Sequence, residues 1–242
     1  MRLYTLAHQA LNDLLAHAGV RLIKYPPDPL NCRIRQIEQH GVDLVLDVGA
    51  NAGQHATMLR KAGYQGQLIS FEPQPDAFER LSRLTASDSH WTAHNVAVGA
   101  EKGRLTLNVS QNSVASSVLP MGQASLDAAP ECRYVRTIDV DVIALADIIA
   151  ANAGRSIMLK IDVQGFEPAV LEGCGQGLEK ITLLDVEMAL ATIYEGGAMF
   201  DDVDSWIRNR GFRRVGLDHA FWDRAKGELL AVDGIYARIA SG

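Results

Sequence analysis

The chain has 242 residues, 48% apolar and 21% charged, and its 23 Lys and Arg against 29 Asp and Glu leave a net charge of −6. That length suits one large domain whose core needs no disulfide or metal staple, and the composition excludes a disordered chain or a coiled coil. The acidic balance argues against a nucleic-acid partner, which calls for a basic stripe.

Residues 1–20 place Leu3, Leu11, Leu14, Leu15 and Val20 at roughly helical spacing. A helix is expected there, packed on the domain or on a second copy, where a homodimer would form. His8, Asn12, Asp13 and His17 interrupt it, so it lacks the apolar block of a signal peptide. No run of 18 apolar residues calls for a transmembrane helix, and the expected location is cytoplasmic. The prolines of Tyr25–Pro29 force a hinge, and a second helix is expected around Cys32–His40. The chain then divides into a helical extension, 1–40, and a domain, 41–242. Cys32, Cys132 and Cys174 form no C-x-x-C pair, and their odd number makes no disulfide framework.

From Asp43 the texture changes. Asp43–Val48, Gln67–Phe71, Ser156–Ile161 and Ile181–Val186 are short, nearly continuous apolar runs, as in strands buried on both faces. Helical patterns lie between them at 53–62, 75–85, 141–150 and 166–173. This alternation predicts βαβ units, hence an α/β fold with a mainly parallel sheet covered by helices on both faces. Residues 213–223 and 229–238 alternate and contain turn residues, which suggests an antiparallel pair at one sheet edge. Residues 110–134, rich in Ser, Ala, Gln and Pro, read as a long excursion.

The sharpest motif is Asp47-Val48-Gly49-Ala50-Asn51-Ala52-Gly53-Gln54, which follows the first strand and opens a helix. Glycines there let a ligand approach the main chain at a helix N-terminus. Read as G-x-G-x-x-G from Gly49, the three positions hold Gly49, Asn51 and Gln54, so the dinucleotide fingerprint is broken. Asp47 is unwelcome beside phosphates and welcome beside an ammonium group. A ligand with a ribose, a cationic end and no phosphate fits better, and S-adenosylmethionine (SAM) is one. Glu72-Pro73 ends the second strand, where an acid accepts hydrogen bonds from ribose hydroxyls. Asn95, or main chain nearby such as Ala97, is placed to frame an adenine.

The runs LDVGANAGQ, SFEPQPDAF, NVAVG, LKIDVQGFEPAVLEG and LLDVEM, in that order, resemble the FkbM family of SAM-dependent methyltransferases over residues 40–238. The resemblance implies a class I SAM-methyltransferase (Rossmann-like) fold, with a seven-stranded sheet whose last two strands are antiparallel. It implies SAM as cofactor, bound by Asp47, Gly49, Asn51, Gly53 and Glu72, and methyl transfer to an oxygen, often on a sugar or glycan. One departure stands out: Asp162-Val163-Gln164-Gly165 replaces the common D-x-E-G with an amide.

A hydroxyl acceptor calls for a base at the carboxyl ends of the strands. Asp162 is the first choice, as base or as ligand of the acceptor hydroxyl. Lys160 lies in an apolar run and needs a partner, Asp162 or Glu187. Glu187 is placed to bind acceptor hydroxyls or to pair with Lys160. Gln164 suits a sugar hydroxyl or the SAM carboxylate. The polar stretch Ser110–Ser117 is a second candidate wall for the acceptor, and Tyr194–Gly197 a candidate lid. The histidines lack H-E-x-x-H spacing, and Asp162 and Glu187 would hold a divalent metal only together with substrate oxygens, so none is expected. The alternatives are an NAD-dependent oxidoreductase, which the missing glycines disfavour, an N-methyltransferase, and a SAM-binding regulator without catalysis.

Overall fold

The computed structural model describes residues 11–20, 22 and 28–239. Residues 11–16 are helical; the remainder of the expected first helix before them, and residues 25–27 of the expected hinge, lie outside the described residues, while Asp28 and Pro29, expected in the hinge, open a helix instead, where a proline in the first turn is tolerated. In chain order come α1 (Asp28–Gln39), β1 (Leu44–Val48), α2 (Gln54–Lys61), β2 (Gln67–Phe71), α3 (Pro75–Thr85) and β3 (Trp91–His94). There follow β4 (Ala97–Val98), β5 (Gly103–Ser110), α4 (Gln123–Ala128), β6 (Tyr134–Ile143), α5 (Ala146–Ala151), β7 (Ile157–Ile161) and α6 (Glu167–Glu172). The chain closes with β8 (Ile181–Ala189), α7 (Phe200–Arg208), β9 (Phe212–Asp223) and β10 (Glu228–Arg238).

Seven strands form the main sheet in the order β3-β2-β1-β7-β8-β10-β9. The first five are parallel, and β10 runs antiparallel to both β8 and β9. This is the class I methyltransferase arrangement. Its central strands are apolar on both faces because both faces are covered. Leu44, Leu46, Leu159 and Ile161 pack into one core, and Val45, Met158 and Leu183 into the other. The second core also takes Ile37 of α1, whose buried residues Leu30, Arg33 and Ile37 share one helix face. Strand order reverses between β1 and β7. In an open α/β sheet the crevice outside such a switch point is where ligands bind.

Two expectations are corrected. The helix expected at 141–150 is a strand followed by a short helix: β6 fills Tyr134–Ile143, and α5 begins only at Ala146. Val140 and Val142 are buried in alternation with exposed Asp139 and Asp141, a period of two that the apolar count had concealed. Strand β6 pairs with β4 and β5 in a second, three-stranded sheet that the sequence reading did not contain. The excursion at 110–134 is largely ordered between β5 and β6. It holds 3-10 turns at Ser113–Ala115 and Pro130–Cys132 and the helix α4. The three cysteines are free. Among the described residues no helix is long and apolar enough to cross a membrane.

Candidate active site

The loop after β1 is shaped by main-chain conformation. Gly49 has φ 76°, and a Cβ there would overlap the carbonyl oxygen of Asp162. Gly53 (φ 83°) caps α2 in the left-handed region, with Leu81, Leu84 and Trp91 each 3.0 Å from where a Cβ would lie. Asn51 is also left-handed, at φ 46°, a conformation Asn tolerates because its short amide bonds locally. Its Oδ1 accepts from the Ala52 N–H at 2.8 Å and from Gln54 Nε2 at 3.2 Å.

Glu72 locks this loop to the end of β2. Its two carboxylate oxygens accept the N–H groups of Asn51 and Gln74, each at 2.8 Å. Burial pushes the Glu72 carboxyl up to about 7, against the pull of those two hydrogen bonds. Asn95 turns its amide onto the carbonyls of Glu72 (2.8 Å) and Pro73 (3.1 Å), bracing the strand end.

Beneath the loop, Asp47 of β1, Lys160 of β7 and Asp185 of β8 lie in one register row. Lys160 Nζ is 3.6 Å from Asp47 and 3.3 Å from Asp162, and donates to the carbonyl of Gly49 at 3.4 Å. Its partners are therefore Asp162 and Asp47; Glu187, the other expected partner, is bound by Gln164 instead. Burial alone would drive Lys160 toward neutrality, yet the Asp162 and Asp47 carboxylates hold it protonated. An ammonium so held acts as a fixed cation, with no lone pair to take a proton. Asp47 is fully buried and accepts from Ser70 Oγ at 3.3 Å.

The loop after β7 is shaped by side chains. Glu167, unforeseen in the sequence, accepts the N–H groups of Val163 (3.1 Å) and Gly165 (3.0 Å), and burial pushes it up to about 7. Its signal was an acid in the first turn of a helix, a favoured place for one. Gln164 reaches Asp162 and Glu187, and the Tyr194 hydroxyl donates to Gln164. Burial works to raise Asp162, but the Lys160 ammonium and hydrogen bonds from Gln164 and Glu187 keep it below its ordinary value. Burial and the Asp162 charge push Glu187 well above its own.

A cavity of about 430 Å³ opens at the switch point. One end is apolar, with Phe71, Pro73, Val96, Ala97, Leu107 and Val118 on its wall. The middle carries Gly49, Asn51, Gln54 and Glu72 on one side and Lys160, Asp162 and Gln164 on another. Ser113 and Ser116 of the excursion also line it; Ser113 lies 3.3 Å from the Asn51 amide and Ser116 donates to Gln74 at 2.8 Å. Of the residues expected at the site, Asp47, Gly53, Asn95 and Glu187 do not reach the cavity wall; they support residues that do.

The far end was missed. Arg33, His55, Asp185, Asp218 and Asp233 line it. Arg33 reaches from α1 to Asp185 at 2.5 Å and lies 3.9 Å from Asp233. Burial and the Asp185 charge push Asp233 up to about 7. Burial keeps His55 neutral, and its Nε2 has no hydrogen-bond partner among the described residues. The available signal was an arginine on the apolar face of α1 and an aspartate within the apolar run of β8, two charges that each need burial in company. Among the described residues no group of three or more His, Cys, Asp or Glu is arranged to hold a metal.

The family described as Methyltransferase FkbM domain matches residues 47–214. Methyltransferase 1 of Beauveria bassiana is 26% identical over 149 residues, 53% of this chain and 57% of its own length. Hexuronic acid methyltransferase AglP of Haloferax volcanii is 22% identical over 70% of this chain and 64% of its own. This chain therefore spans less than two thirds of either protein. 2-O-methyltransferase NoeI of Sinorhizobium fredii is 26% identical over 76% of this chain and 73% of its own. Among solved structures, an uncharacterized protein from Listeria monocytogenes serotype 4b shares the fold, with a TM-score of 0.50 and 11% identity over 91% of this chain and 70% of its own.

Proposed function

The chain belongs to the FkbM family of methyltransferases, and we propose that it transfers the methyl group of SAM to a hydroxyl oxygen of a sugar, a glycan or another polyhydroxylated small molecule. One observation carries the reading: the glycine loop, the buried Glu72 and the Asp162 carboxylate line a single cavity at the switch point of the sheet. Its volume lies within the ordinary range for small-ligand sites. The apolar end suits an adenine. Glu72, whose oxygens each keep a lone pair, suits the ribose hydroxyls. The Asn51 side chain stands where a pyrophosphate would need bare main chain, which disfavours a dinucleotide.

When bound, SAM supplies a methyl group on a sulfonium that leaves as a neutral thioether. The rest falls to the protein. The walls hold the acceptor oxygen in line with the methyl carbon, an alignment that in general lowers such a barrier by roughly 7–11 kcal/mol. Asp162, favoured in its ionised form by Lys160 and Gln164, would take the proton of the acceptor hydroxyl as that oxygen receives the methyl group. A positioned base adds about 10²–10⁴-fold. Similarity to a hexuronic acid methyltransferase supports a sugar as the acceptor class, and similarity to a 2-O-methyltransferase supports an oxygen as the methylated atom.

Isothermal titration of the full chain with S-adenosylhomocysteine, with NAD as control, tests the cofactor. Micromolar binding of the first alone is expected, and NAD binding in its place would overturn the reading. Release of S-adenosylhomocysteine from SAM across a panel of neutral sugars, uronic acids and glycans then tests the acceptor; turnover only on amines would overturn the oxygen assignment.

A further inference from the structure

Gln164 stands just after β7 in the left-handed region, at φ 59°. A non-glycine residue persists there only when its surroundings over-determine it. Ser117 Oγ donates to its carbonyl at 2.6 Å, and its side-chain amide is fully engaged. Nε2 donates to Asp162 Oδ1 at 2.6 Å and to Glu187 Oε2 at 2.7 Å, while Oε1 accepts from the Tyr194 hydroxyl at 2.6 Å. Tyr194 is buried at 4% exposure against Gly165, where a Cβ would stand 3.1 Å from it.

In this orientation the amide N–H groups face the two acids and its oxygen faces the Tyr194 hydroxyl, which also lies 3.3 Å from the Ala115 carbonyl. Turned over, Gln164 would set its carbonyl against the Asp162 carboxylate, two acceptors facing each other. Both N–H groups are spent inside the protein, so Gln164 does not act on the cofactor or the acceptor through them.

We propose that Gln164, oriented by the Tyr194 hydroxyl, is a positioning residue that bridges Asp162 to Glu187 and fixes the direction in which the Asp162 carboxylate meets the acceptor. This inference rests on the methyl-transfer reading through the role of Asp162. Its physical basis is separation of two neighbouring acids. Asp162 meets Lys160 on one oxygen and Gln164 on the other; Glu187 faces Asp162, Asp233 of β10 and Glu167 of α6. Asp47 and Asp185 add charge around Lys160. Two N–H donors between the acids allow one to stay ionised while the other keeps its proton. A carboxyl at 164 would bring a third acid to the same spot.

The test is a carbon-13 carboxyl titration of the full-length protein labelled in Asp and Glu, with Asp162→Asn and Glu187→Gln assigning the two signals. In wild type the Asp162 signal should titrate below the ordinary range and the Glu187 signal above it. Gln164→Glu should raise the Asp162 midpoint by about one pH unit or more. Tyr194→Phe, which removes the hydroxyl that holds the amide, should raise it by less, and because Tyr194 is not on the cavity wall its S-adenosylhomocysteine affinity should be unchanged. The acid limb of the pH profile of kcat should move with the Asp162 midpoint, while KM for SAM holds in Tyr194→Phe. Wild-type midpoints in both variants would overturn the proposal, and should Gln164→Glu fail to fold, Tyr194→Phe decides alone. A wild-type protein that shows the separated midpoints yet binds no S-adenosylhomocysteine would defeat the methyl-transfer reading and leave the bridge standing.

Discussion

The loops after β1 and after β7 leave neighbouring parallel strands at the same sheet edge, and they touch where Gly49 meets the Asp162 carbonyl. Both contain left-handed residues: Gly49, Asn51 and Gly53 in the first, Gln164 and Gly165 in the second. They are nonetheless built in opposite ways. The first offers main chain to the cavity and has no room for an added carbon at Gly49. The second offers side-chain charge, set by who donates and who accepts. The first should therefore fail on changes of shape and the second on changes of proton or charge that leave shape alone.

The largest expected effect comes from the second loop. Asp162→Asn keeps the shape and removes the proposed base, so turnover should fall by about 10²–10⁴-fold. S-adenosylhomocysteine titration should show unchanged affinity; normal turnover would remove Asp162 as the base and blur the contrast. Next comes Gly49→Ala, one added carbon in the first loop. A left-handed non-glycine residue alone costs about 1–2 kcal/mol, and the clash with the Asp162 carbonyl adds to it. Urea denaturation should show a loss of at least that size, with loss of S-adenosylhomocysteine binding.

Glu72→Gln replaces one of the two oxygens that accept main-chain N–H groups of Asn51 and Gln74, and S-adenosylhomocysteine affinity should drop about tenfold, the worth of one hydrogen bond. Its pH behaviour has a definite sign. The Glu72 carboxyl is raised from its ordinary value near 4.5 to about 7. The folded form thus holds a proton that the unfolded chain releases, a stabilising contribution present below about 4.5 and lost as pH rises through 7. Denaturation from pH 5 to 8 should show wild type losing stability relative to Glu72→Gln; a pH-independent difference would mean that Glu72 is ionised throughout. The smallest effect is expected of Asn51→Gly, which relieves a left-handed backbone and gives up the bonds of Asn51 Oδ1. The two oppose each other, and stability should change by less than about 1 kcal/mol.

The same contrast explains what could be read from the sequence. Four strands of the main sheet and the glycine loop were legible because their signals are local: apolar runs of five or six residues and glycines directly after one of them. Residues 141–150 misled because Val140, Val142, Ile148 and Ile149 supply enough apolar residues for either period, and only burial shows where strand gives way to helix. The second loop was legible as a set of polar residues but not as a network. Residues 162, 164, 187 and 194 come together only through strand order and a buried loop, and no spacing rule announces that a glutamine will stand between two acids. Arg33 and Asp185 were hidden for the same reason, separated by 152 positions and joined by packing alone.

Arg33 also bears on where this domain can be cut. The family match begins at residue 47 and ends at 214, yet the cavity takes Arg33 from before that stretch and Asp218 and Asp233 from after it. A chimera assembled from residues 47–214 would carry the glycine loop and Asp162 but would separate Asp185 from Arg33 and from the β10 strand paired beside it; breaking a buried ion pair costs about 3–5 kcal/mol in proteins generally. The transplantable unit runs from α1 through β10, and its two ends are joined across the cavity they help to line.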